Sequence, residues 1–495
     1  MGRTPDLRSV MVARKGTSMR HAGTLTGLIL AATAPLYVAC AVGPEAPQVK
    51  IPSAGTGPFV GAVNPAVAAV EARDDWWRLY DDPTLDGLIR QAFARNNELE
   101  AAVANLEAVR ASLSETRVAR LPATSVSGRL ERGRGSAGTV SGLASGGVLP
   151  TVDTADLGIQ AGYEIDLFSR IEATVRAARA DARAAEAALA TVQVTVAAET
   201  TRAYADICSA NAQISVVDRT LDLQRDTVGT TRALLAEGVG TELDVAGARA
   251  ALAQTEANLP TLRAARNAAL FRLATLTGVT PGEASDAAAA CVRPPRLSRP
   301  IPVGDGAALL ARRPDVRQAE ANLAAAAARV NVATSSLYPR ISLGGSAGVA
   351  GSGLGELANS EGFRFSLGPL IDWSFPNVLA ARAQIRAADS RSDAALATFD
   401  QTVLTALEET ETALSNYAHE LDRRATLNEA RDQAARAASL SRQSFDAGVE
   451  SFLVVLDAER TLAAADSALA QSDALVTTYQ IALFRALAGG WQPEI

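Results

Sequence analysis

The chain is poor in the residues that build catalytic and metal sites. Its 495 residues include two histidines and three cysteines, and we identify no Ser/His/Asp set, no His/Cys metal cluster and no phosphate-binding loop. One GxGxxG match begins at Gly133, but no helix is predicted to open there, so the motif lacks the context of a dinucleotide site. We therefore expect no enzyme, no cofactor and no bound metal.

Aromatic residues and positive charge are also scarce. Aromatics make up 4% of the chain, and the net charge is −7. Without a basic stripe that carries interleaved aromatics, broad nucleic-acid binding is excluded. Proline is missing from Ser169 to Glu237 and from Val378 to Ala447. At 1.5 Å per residue, each of these alanine-rich stretches predicts a helix on the order of 100 Å long.

The N-terminus has the pattern of an export signal. Basic residues precede a largely apolar run, which is shorter than a membrane-spanning helix and ends near residue 39. We interpret residues 1–39 as a signal peptide. The letters LYVAC, which end at Cys40, resemble a bacterial lipoprotein box, so we expect Cys40 to be lipidated; the alternative is ordinary cleavage nearby, with Cys40 incidental. Residues 40–73 are rich in proline and glycine, which predicts an extended tether.

A change of hydrophobic period organises the rest of the chain. Val316, Leu323 and Val330 recur every seven residues, which is typical of a helix with a narrow apolar stripe. The helix should end at Tyr338–Pro339, because proline disfavours helical backbone in the preceding residue. Beyond it, apolar and small polar residues alternate from Ile341 onward, which predicts a strand.

The same event occurs earlier, so the chain is predicted to be an internal duplication. Pro339 follows Pro122 by 217 positions, and the same offset separates Asn322 from Asn105. Each repeat is predicted to contain one β-hairpin and one long helical hairpin. The first repeat spans residues 74–280, with strands near 123–131 and 152–167 and a helical hairpin at 169–277. One long helix up to Leu121 is expected before the first strand, and the returning helix of the hairpin is expected to tolerate Pro260 and to run to about Leu276. A proline-rich connector occupies 281–305. The second repeat spans 306–495, with strands near 340–350 and 363–374 and a helical hairpin at 378–488.

Each predicted strand has an apolar face and a face of small or polar residues. Four strands cannot close a membrane barrel, which needs about eight or more. An open sheet edge is not tolerated in lipid, since its backbone groups would be unsatisfied. If the strands span a membrane, several chains must therefore share one barrel, and three chains would supply twelve strands. This fold class is a mixed α and β membrane protein.

Two cysteines remain besides Cys40. Cys208 lies in the middle of a predicted helix, and Cys291 lies in the connector. In an oxidising compartment this pair predicts a disulfide that fastens the connector to the helices. The alternative is two separate buried thiols.

Four segments together resemble the TolC-like outer-membrane efflux proteins, in particular the branch of NodT-type lipoproteins. They read DDWWRLYDDPTLDGLIRQAFARNNEL, YEIDLFSRI, LLARRPDVRQAEANLAAAAARVNVATSSLYPRISLGG and AGVESFLVVLDAERTL. The resemblance implies a homotrimeric exit duct, with a 12-stranded β-barrel in the outer membrane and an α-helical barrel in the periplasm. It also implies two partners, a periplasmic adaptor protein and an inner-membrane pump of the RND type. The duct itself would be a passive, gated channel for small molecules.

Two equivalent turns are expected to carry the contacts with partners. Glycine can adopt left-handed backbone just past a helix end, and Thr or Ser three residues later can cap the next helix. By the resemblance, the turns close the pore and dock the adaptor through Gly238, Val239 and Thr241 and through Gly448, Val449 and Ser451. Nearby, Asp244, Asp446 and Asp457 are candidates for an anionic pore gate. The alternative is that these are only well-formed turns.

Other functions stay open at this point. A secretion conduit for proteins or oligosaccharide signals would have the same architecture. A periplasmic adaptor or another coiled-coil protein would explain the helices, but it would not explain four two-faced strands.

Overall fold

The computed structural model describes residues 55–134, 151–357, 360–375 and 378–489. They form two compact units: a sheet unit, Thr124–Arg170 with Ser335–Ser374, and a helical unit that contains the other described residues. The strands are β1 Val67–Ala68, β2 Ala123–Gly133, β3 Val152–Ile165, β4 Ile301–Pro302, β5 Arg340–Gly351 and β6 Phe363–Asp372. The α-helices are α1 Pro83–Arg95, α2 Asn97–Val118, α3 Arg170–Ala236, α4 Glu242–Glu256, α5 Asn258–Leu276, α6 Asp286–Ala289, α7 Gly306–Arg312, α8 Pro314–Ser335, α9 Val378–Asp446 and α10 Phe452–Ala486.

The sheet unit contains the four strands predicted from the alternating pattern. Their order is β2-β3-β5-β6, so each repeat supplies two neighbouring strands. The two repeats meet at the antiparallel pair β3–β5, in which Tyr163 faces Leu343. Strands β3 and β6 end two residues earlier than expected, at Ile165 and Asp372. Pro369 lies within β6, which is an outer strand of the sheet of one chain, the position where proline is found in sheets.

The helical unit is built on the two proline-free stretches. Helix α3 has 67 residues and α9 has 69, so both predicted long helices are present. Alanine is the commonest residue among those that α3 buries, which allows close packing with little side-chain bulk. Both helices carry threonine hydroxyls that bond to the carbonyl four residues earlier, as Thr201 does to Ala197 and Thr410 to Ala406. These hydroxyls are thereby satisfied within the helix.

The returning helix of the first repeat is broken, contrary to our expectation that it would tolerate Pro260. Helix α4 ends at Glu256, and α5 begins at Asn258. Proline has no N–H to donate to the carbonyl four residues earlier, and its ring crowds that carbonyl. The carbonyl four residues before Pro260 belongs to Glu256, so the break lies where the proline requires it. The equivalent helix of the second repeat, α10, is continuous.

The helical run before each first strand is also split. In place of one long helix up to Leu121, helices α1 and α2 meet at Asn96. The side chain of Asn96 caps α2 by accepting a bond from the amide of Leu99 at 3.0 Å. In the second repeat, Arg313 stands between α7 and α8, 217 positions after Asn96. The two breaks are therefore equivalent under the duplication.

The segment expected to be an extended tether is partly packed. Of residues 40–73, those from 55 onward are described, and among them Phe59 and Val67 are buried in the main hydrophobic core. Strand β1 pairs in parallel with β4 of the connector. The carboxylate of Glu411 accepts bonds from the amides of Val60 and Gly61. Two apolar side chains and these backbone bonds hold the segment against the helices, which its proline and glycine content did not indicate.

The main core of the helical unit lies where both repeats contribute. Trp76 stacks on Phe484 with 4.6 Å between ring centroids, and Tyr80 contacts the same phenyl ring edge-on. Leu85 and Ile89 of α1 are fully buried in this core. The motif DDWWRLYDDP is thus a structural element that packs the start of the first repeat on the end of the second.

Candidate channel surfaces

One face of the sheet consists mostly of small and polar residues, with Leu370, in register with Ser342, as an exception. In-register neighbours share a face, and one such row contains Gln160, Ser346 and Ser366. The hydroxyl oxygens of Ser346 and Ser366 lie 2.8 Å apart, within hydrogen-bonding distance. The adjacent row consists only of glycine, namely Gly162, Gly344 and Gly368. A surface of glycine, serine and glutamine binds water and leaves space for a solute.

The opposite face is apolar and uncovered within one chain. One row aligns Ile159, Ala347 and Phe365, and the third row beyond it on the same face aligns Ile165, Ile341 and Ile371. Phe365 is 76% exposed and Ile371 is 70% exposed. A contiguous apolar area of this kind is rare on a monomeric soluble protein, and it marks a surface that contacts lipid or another protein.

The two helical turns have the same backbone geometry. Gly238 and Gly448 both have left-handed backbone, with φ of 76° and 71°. After each glycine, the next amide bonds to a carbonyl five residues back, as Val239 does to Leu234 at 3.0 Å and Val449 to Ser444 at 2.9 Å. This pattern is the Schellman motif, which satisfies the last carbonyls of a helix. Each turn presents an exposed valine, since Val239 and Val449 both project to solvent.

Comparison with known proteins decides the class. The sequence profile of the outer membrane efflux protein family matches residues 88–279 and 307–489, which is more than half of the chain and one segment for each repeat. The chain belongs to the outer membrane efflux protein family. The predicted class, an outer-membrane channel of an efflux pump, is confirmed by this match and by the relatives below.

Two curated relatives and one solved structure illustrate the similarity. The pyoverdine export outer membrane protein OpmQ of Pseudomonas aeruginosa is 32% identical over 430 residues, covering 85% of this chain and 88% of the relative. The antibiotic efflux pump outer membrane protein ArpC of Pseudomonas putida is 28% identical over 472 residues, with 94% and 96% covered. The structure of the outer-membrane channel OprN superposes with a TM-score of 0.86 at 34% identity, covering 92% of this chain and all of that one.

The capping chemistry of the two turns in this efflux protein differs. Thr241 and Asp244 form a reciprocal capping box, in which each side chain bonds to the backbone amide of the other. Ser451 stands at the equivalent position, yet its side chain makes no capping bond. Our expectation that both residues cap the following helix is therefore correct for Thr241 and wrong for Ser451.

The three aspartates predicted near the turns lie in different settings. The carboxylate of Asp244 is engaged in the capping box, whereas Asp446 and Asp457 are exposed. Within the described part of the chain, no hydrogen bond or ion pair joins the three side chains. A single chain therefore does not bring them together, and any ring of these carboxylates requires further copies.

A buried carboxyl group near the turns was missed by the sequence analysis. Glu459 of α10 is 7% exposed, and its Oε2 accepts a bond from the Thr227 hydroxyl of α3 at 3.0 Å. Arg442 of α9 donates to its Oε1 at 3.4 Å. Burial raises the pKa of Glu459, and the Thr227 bond and the Arg442 charge oppose that rise. Its spacing of seven from Phe452 and Asp466 was the available signal.

The two cysteines other than Cys40 form a disulfide in the structure. A disulfide links Cys208 to Cys291, with 4.9 Å between their Cα atoms. The amide of Asn211 donates to the carbonyl oxygens of Ala289 and Cys291, at 3.0 and 2.6 Å. Arg266 donates to the Ala289 carbonyl as well. The connector is thus fastened to α3 by one covalent bond and by the Asn211 bonds, and to α5 by Arg266. Its short helix α6 was not expected from the proline content.

Further expected features concern lipid, metals and membrane helices. Cys40, the predicted lipidation site, lies outside the described residues. Across the described ranges, we find no cluster of His, Cys, Asp and Glu side chains that would hold a metal ion. Among the helices of those same ranges, none contains an apolar stretch long enough to cross a bilayer.

Proposed function

We propose that three copies of this efflux protein share one 12-stranded barrel in the outer membrane. The observation that supports this proposal is the two-faced sheet, with one face of small polar residues and one face of exposed apolar side chains. Within one chain, β2 and β6 are the outer strands of the sheet, and lipid does not tolerate unpaired edges. Threefold symmetry pairs each β6 with the β2 of the next copy and leaves no edge.

In this assembly the apolar face contacts lipid and the polar face lines the lumen. The neighbours Leu343 and Ser342 test the assignment, because they lie on opposite faces. An arginine that faces lipid near the bilayer midplane costs about 2–4 kcal/mol. We expect Leu343→Arg to reduce the amount of trimer in the outer membrane and Ser342→Arg to assemble with altered conductance. The reverse pattern would invert the two faces.

The helical unit continues the barrel into the periplasm as the passive part of a tripartite efflux system. A periplasmic adaptor and an inner-membrane pump of the RND class supply the energy and the docking partner. The two turns are the proposed docking points, since they expose valines on identical backbone geometry. Asp446 and Asp457, with Asp244 beside them, would form anionic rings where three copies meet and restrict the resting pore.

A substitution at the second turn tests this assignment. An added Cβ at Gly448 would meet no atom within 4 Å, although its φ of 71° is unfavourable for most residues. We expect Gly448→Asp to leave trimers in the outer membrane but to abolish efflux and cross-linking to the adaptor. Gly448→Asn is the matched neutral control, since asparagine tolerates left-handed backbone. Loss of the trimer would indicate a purely structural turn, and full efflux by the Asp variant would exclude docking there.

The proposed cargo is small molecules, such as drugs or other toxic compounds. OpmQ is named for pyoverdine export and ArpC for antibiotic efflux, and this chain covers most of both proteins. Deletion of the gene should lower the minimum inhibitory concentrations of the compounds that the duct exports, and the intact gene should restore them. Unchanged concentrations across a broad panel, together with loss of a secreted protein, would favour a secretion conduit.

A lipid anchor at Cys40 completes the proposed location, the outer membrane with extension into the periplasm. The observation that supports it is the lipoprotein-like box that ends at Cys40. We expect Cys40→Ser to abolish the incorporation of labelled palmitate, with partial efflux retained because the barrel itself holds the protein in the membrane. Unchanged labelling would exclude Cys40 as the acylated residue.

A further inference from the structure

The polar face of the sheet carries its charges at its two ends. At the end that adjoins the hairpin loops lie Asp156 of β3 and Arg364 of β6, and at the other end lie Glu164, Arg340 and Asp372. The eight residue steps from Asp156 to Glu164 span about 27 Å along an antiparallel strand. On β3, β5 and β6, the polar rows between them contain only glycine, serine and glutamine. A solute that follows this face therefore meets charge at the loop end, then a neutral stretch, then charge again.

Asp156 and Arg364 form an ion pair across an intervening strand. Their strands are not neighbours, because β5 lies between them, and the guanidinium of Arg364 donates to the carboxylate of Asp156. Arg364 is in register with Gly348. An added Cβ at Gly348 would lie 2.6 Å from the carbonyl oxygen of Leu157, so the β3 and β5 backbones pack too closely there for a side chain. The missing side chain leaves the polar face open between the two charges.

The other charges at the loop end are also balanced. The guanidinium of Arg129 and the carboxylate of Glu131, both on β2, lie 3.5 Å apart. They alternate with Gly128, where an added Cβ would face Leu157 of the apolar side, so both belong to the polar face. The loop end of this face thus carries two positive and two negative side chains.

We propose that the Asp156–Arg364 pair keeps the outer end of the duct electrically neutral, so that this end does not select between cationic and anionic small molecules. This proposal rests on the proposed trimer, in which the polar face lines the lumen and each pair occurs three times. The pair is then a specificity determinant: loss of one partner leaves three uncompensated charges of one sign around the pore. Three such charges at roughly 10 Å from a passing ion, partly screened by salt, change the ratio of cation to anion permeability roughly twofold or more.

The experiment uses the full-length trimer in planar bilayers with a potassium chloride gradient. The reversal potential gives the ratio of potassium to chloride permeability. We expect Arg364→Gln to raise this ratio, Asp156→Asn to lower it, and the double variant to return it to the value of the unmodified protein. Both side chains of the pair are partly exposed, at 61% and 32%, so their loss should cost little stability. Trimer migration on gels verifies assembly of each variant.

A matched control separates local charge from overall charge. Asp153→Asn removes the same charge from the same end of β3, but its parity places it on the side of Ala155 and Leu157, where it lies 3.7 Å from Arg132. We expect this variant to leave the permeability ratio unchanged. Equal shifts for Asp153→Asn and Asp156→Asn, or unchanged ratios in both single variants of the pair, would overturn the proposal. Failure of the unmodified protein to migrate as a trimer would instead contradict the proposed function.

Discussion

The two helical hairpins arise from one duplicated plan, yet different interactions hold them together. In the second hairpin, α9 and α10 are linked by ion pairs that recur every seven residues, Arg424 to Asp473 and Arg431 to Asp466. The series continues towards the turn with the buried Glu459 and with the edge-to-face pair of Phe445 and Phe452. Contacts of this kind hold two antiparallel helices together along their length.

The first hairpin shows two interhelical ion pairs, and on α3 they lie 26 positions apart rather than seven. Arg272 of α5 pairs with Glu199 of α3. Arg225 and Glu256 lie 3.6 Å apart, and both are about half exposed. Its returning helix is broken before Pro260, and its covalent link runs to the connector through Cys208. The comparison teaches that equal backbone architecture does not require equal interactions. The first repeat depends on the Cys208–Cys291 disulfide near its middle, whereas the second depends on side-chain pairs that recur along α9 and α10.

The largest expected effect is the loss of the Cys208–Cys291 disulfide in the first repeat. The disulfide closes a loop of 83 residues, and the chain-entropy relation assigns about 4.5 kcal/mol to such a loop. We expect Cys291→Ser to lower the thermal midpoint of the detergent-solubilised protein and to make it insensitive to reductant. Circular dichroism with and without dithiothreitol measures both. Peptide mass spectrometry of the unreduced protein tests the disulfide directly. Free thiols at both positions would contradict it.

The second effect compares the stability lost when Arg313 or Asn96, the residues at the two equivalent helix breaks, is replaced. Arg313 is buried and donates to the Ala486 carbonyl at 3.1 Å, while it pairs with Asp315 and Glu409. Asn96 donates to the Leu276 carbonyl at 3.0 Å. We expect Arg313→Ala to cost about 3 kcal/mol, because several charge-assisted bonds are lost and a buried carbonyl is left unsatisfied.

For the same change at the first break, Asn96→Ala, the expected cost is about 1 kcal/mol, mainly through the lost helix cap. Chemical unfolding monitored by circular dichroism ranks the two variants. Equal losses would show that both repeats depend on these residues to the same degree.

The third effect is a pH dependence that arises from the buried Glu459 of the second hairpin. Because burial raises the pKa of Glu459, the folded protein binds this proton more tightly than the unfolded chain does. The resulting stability is complete below the ordinary glutamate pKa of about 4.3 and is lost as pH rises through the raised value. We expect Glu459→Gln to flatten the fall of the thermal midpoint between acidic and neutral pH. An identical slope in variant and unmodified protein would exclude Glu459 as its source.

The smallest expected effect is the loss of one ion pair between the helices of a hairpin. Asp466→Asn removes the partner of Arg431, and Glu256→Gln removes the partner of Arg225 in the first hairpin. Partly exposed pairs contribute about 0.2–1 kcal/mol, and salt screens them. We expect the loss to be larger for Asp466→Asn, whose carboxylate is less exposed, and to shrink in both variants at high salt. Unfolding at two ionic strengths measures this, and a larger loss for Glu256→Gln would reverse the comparison.

Much of the fold follows from local chemistry. Alternation from Ile341 onward predicts a strand, and the absence of proline predicts the long helices, because these patterns act within a few residues of one another. The glycine turns were predictable for the same reason, since left-handed backbone at Gly238 and Gly448 is a local requirement. Pro260 follows a local rule as well, since the helix is interrupted at Ala257, where proline removes a hydrogen-bond donor.

What the sequence by itself determined is therefore the inventory: two repeats, their strands and helices, the turns that end them and the two faces of each strand. Only the tertiary structure decided which distant groups meet. Arg313 reaches a carbonyl 173 residues away, Glu459 is enclosed between α3 and α9, and Arg364 crosses β5 to Asp156, 208 residues earlier. The physical reason is that periodicity and turn chemistry are local, whereas burial and ion pairing depend on how separate segments pack.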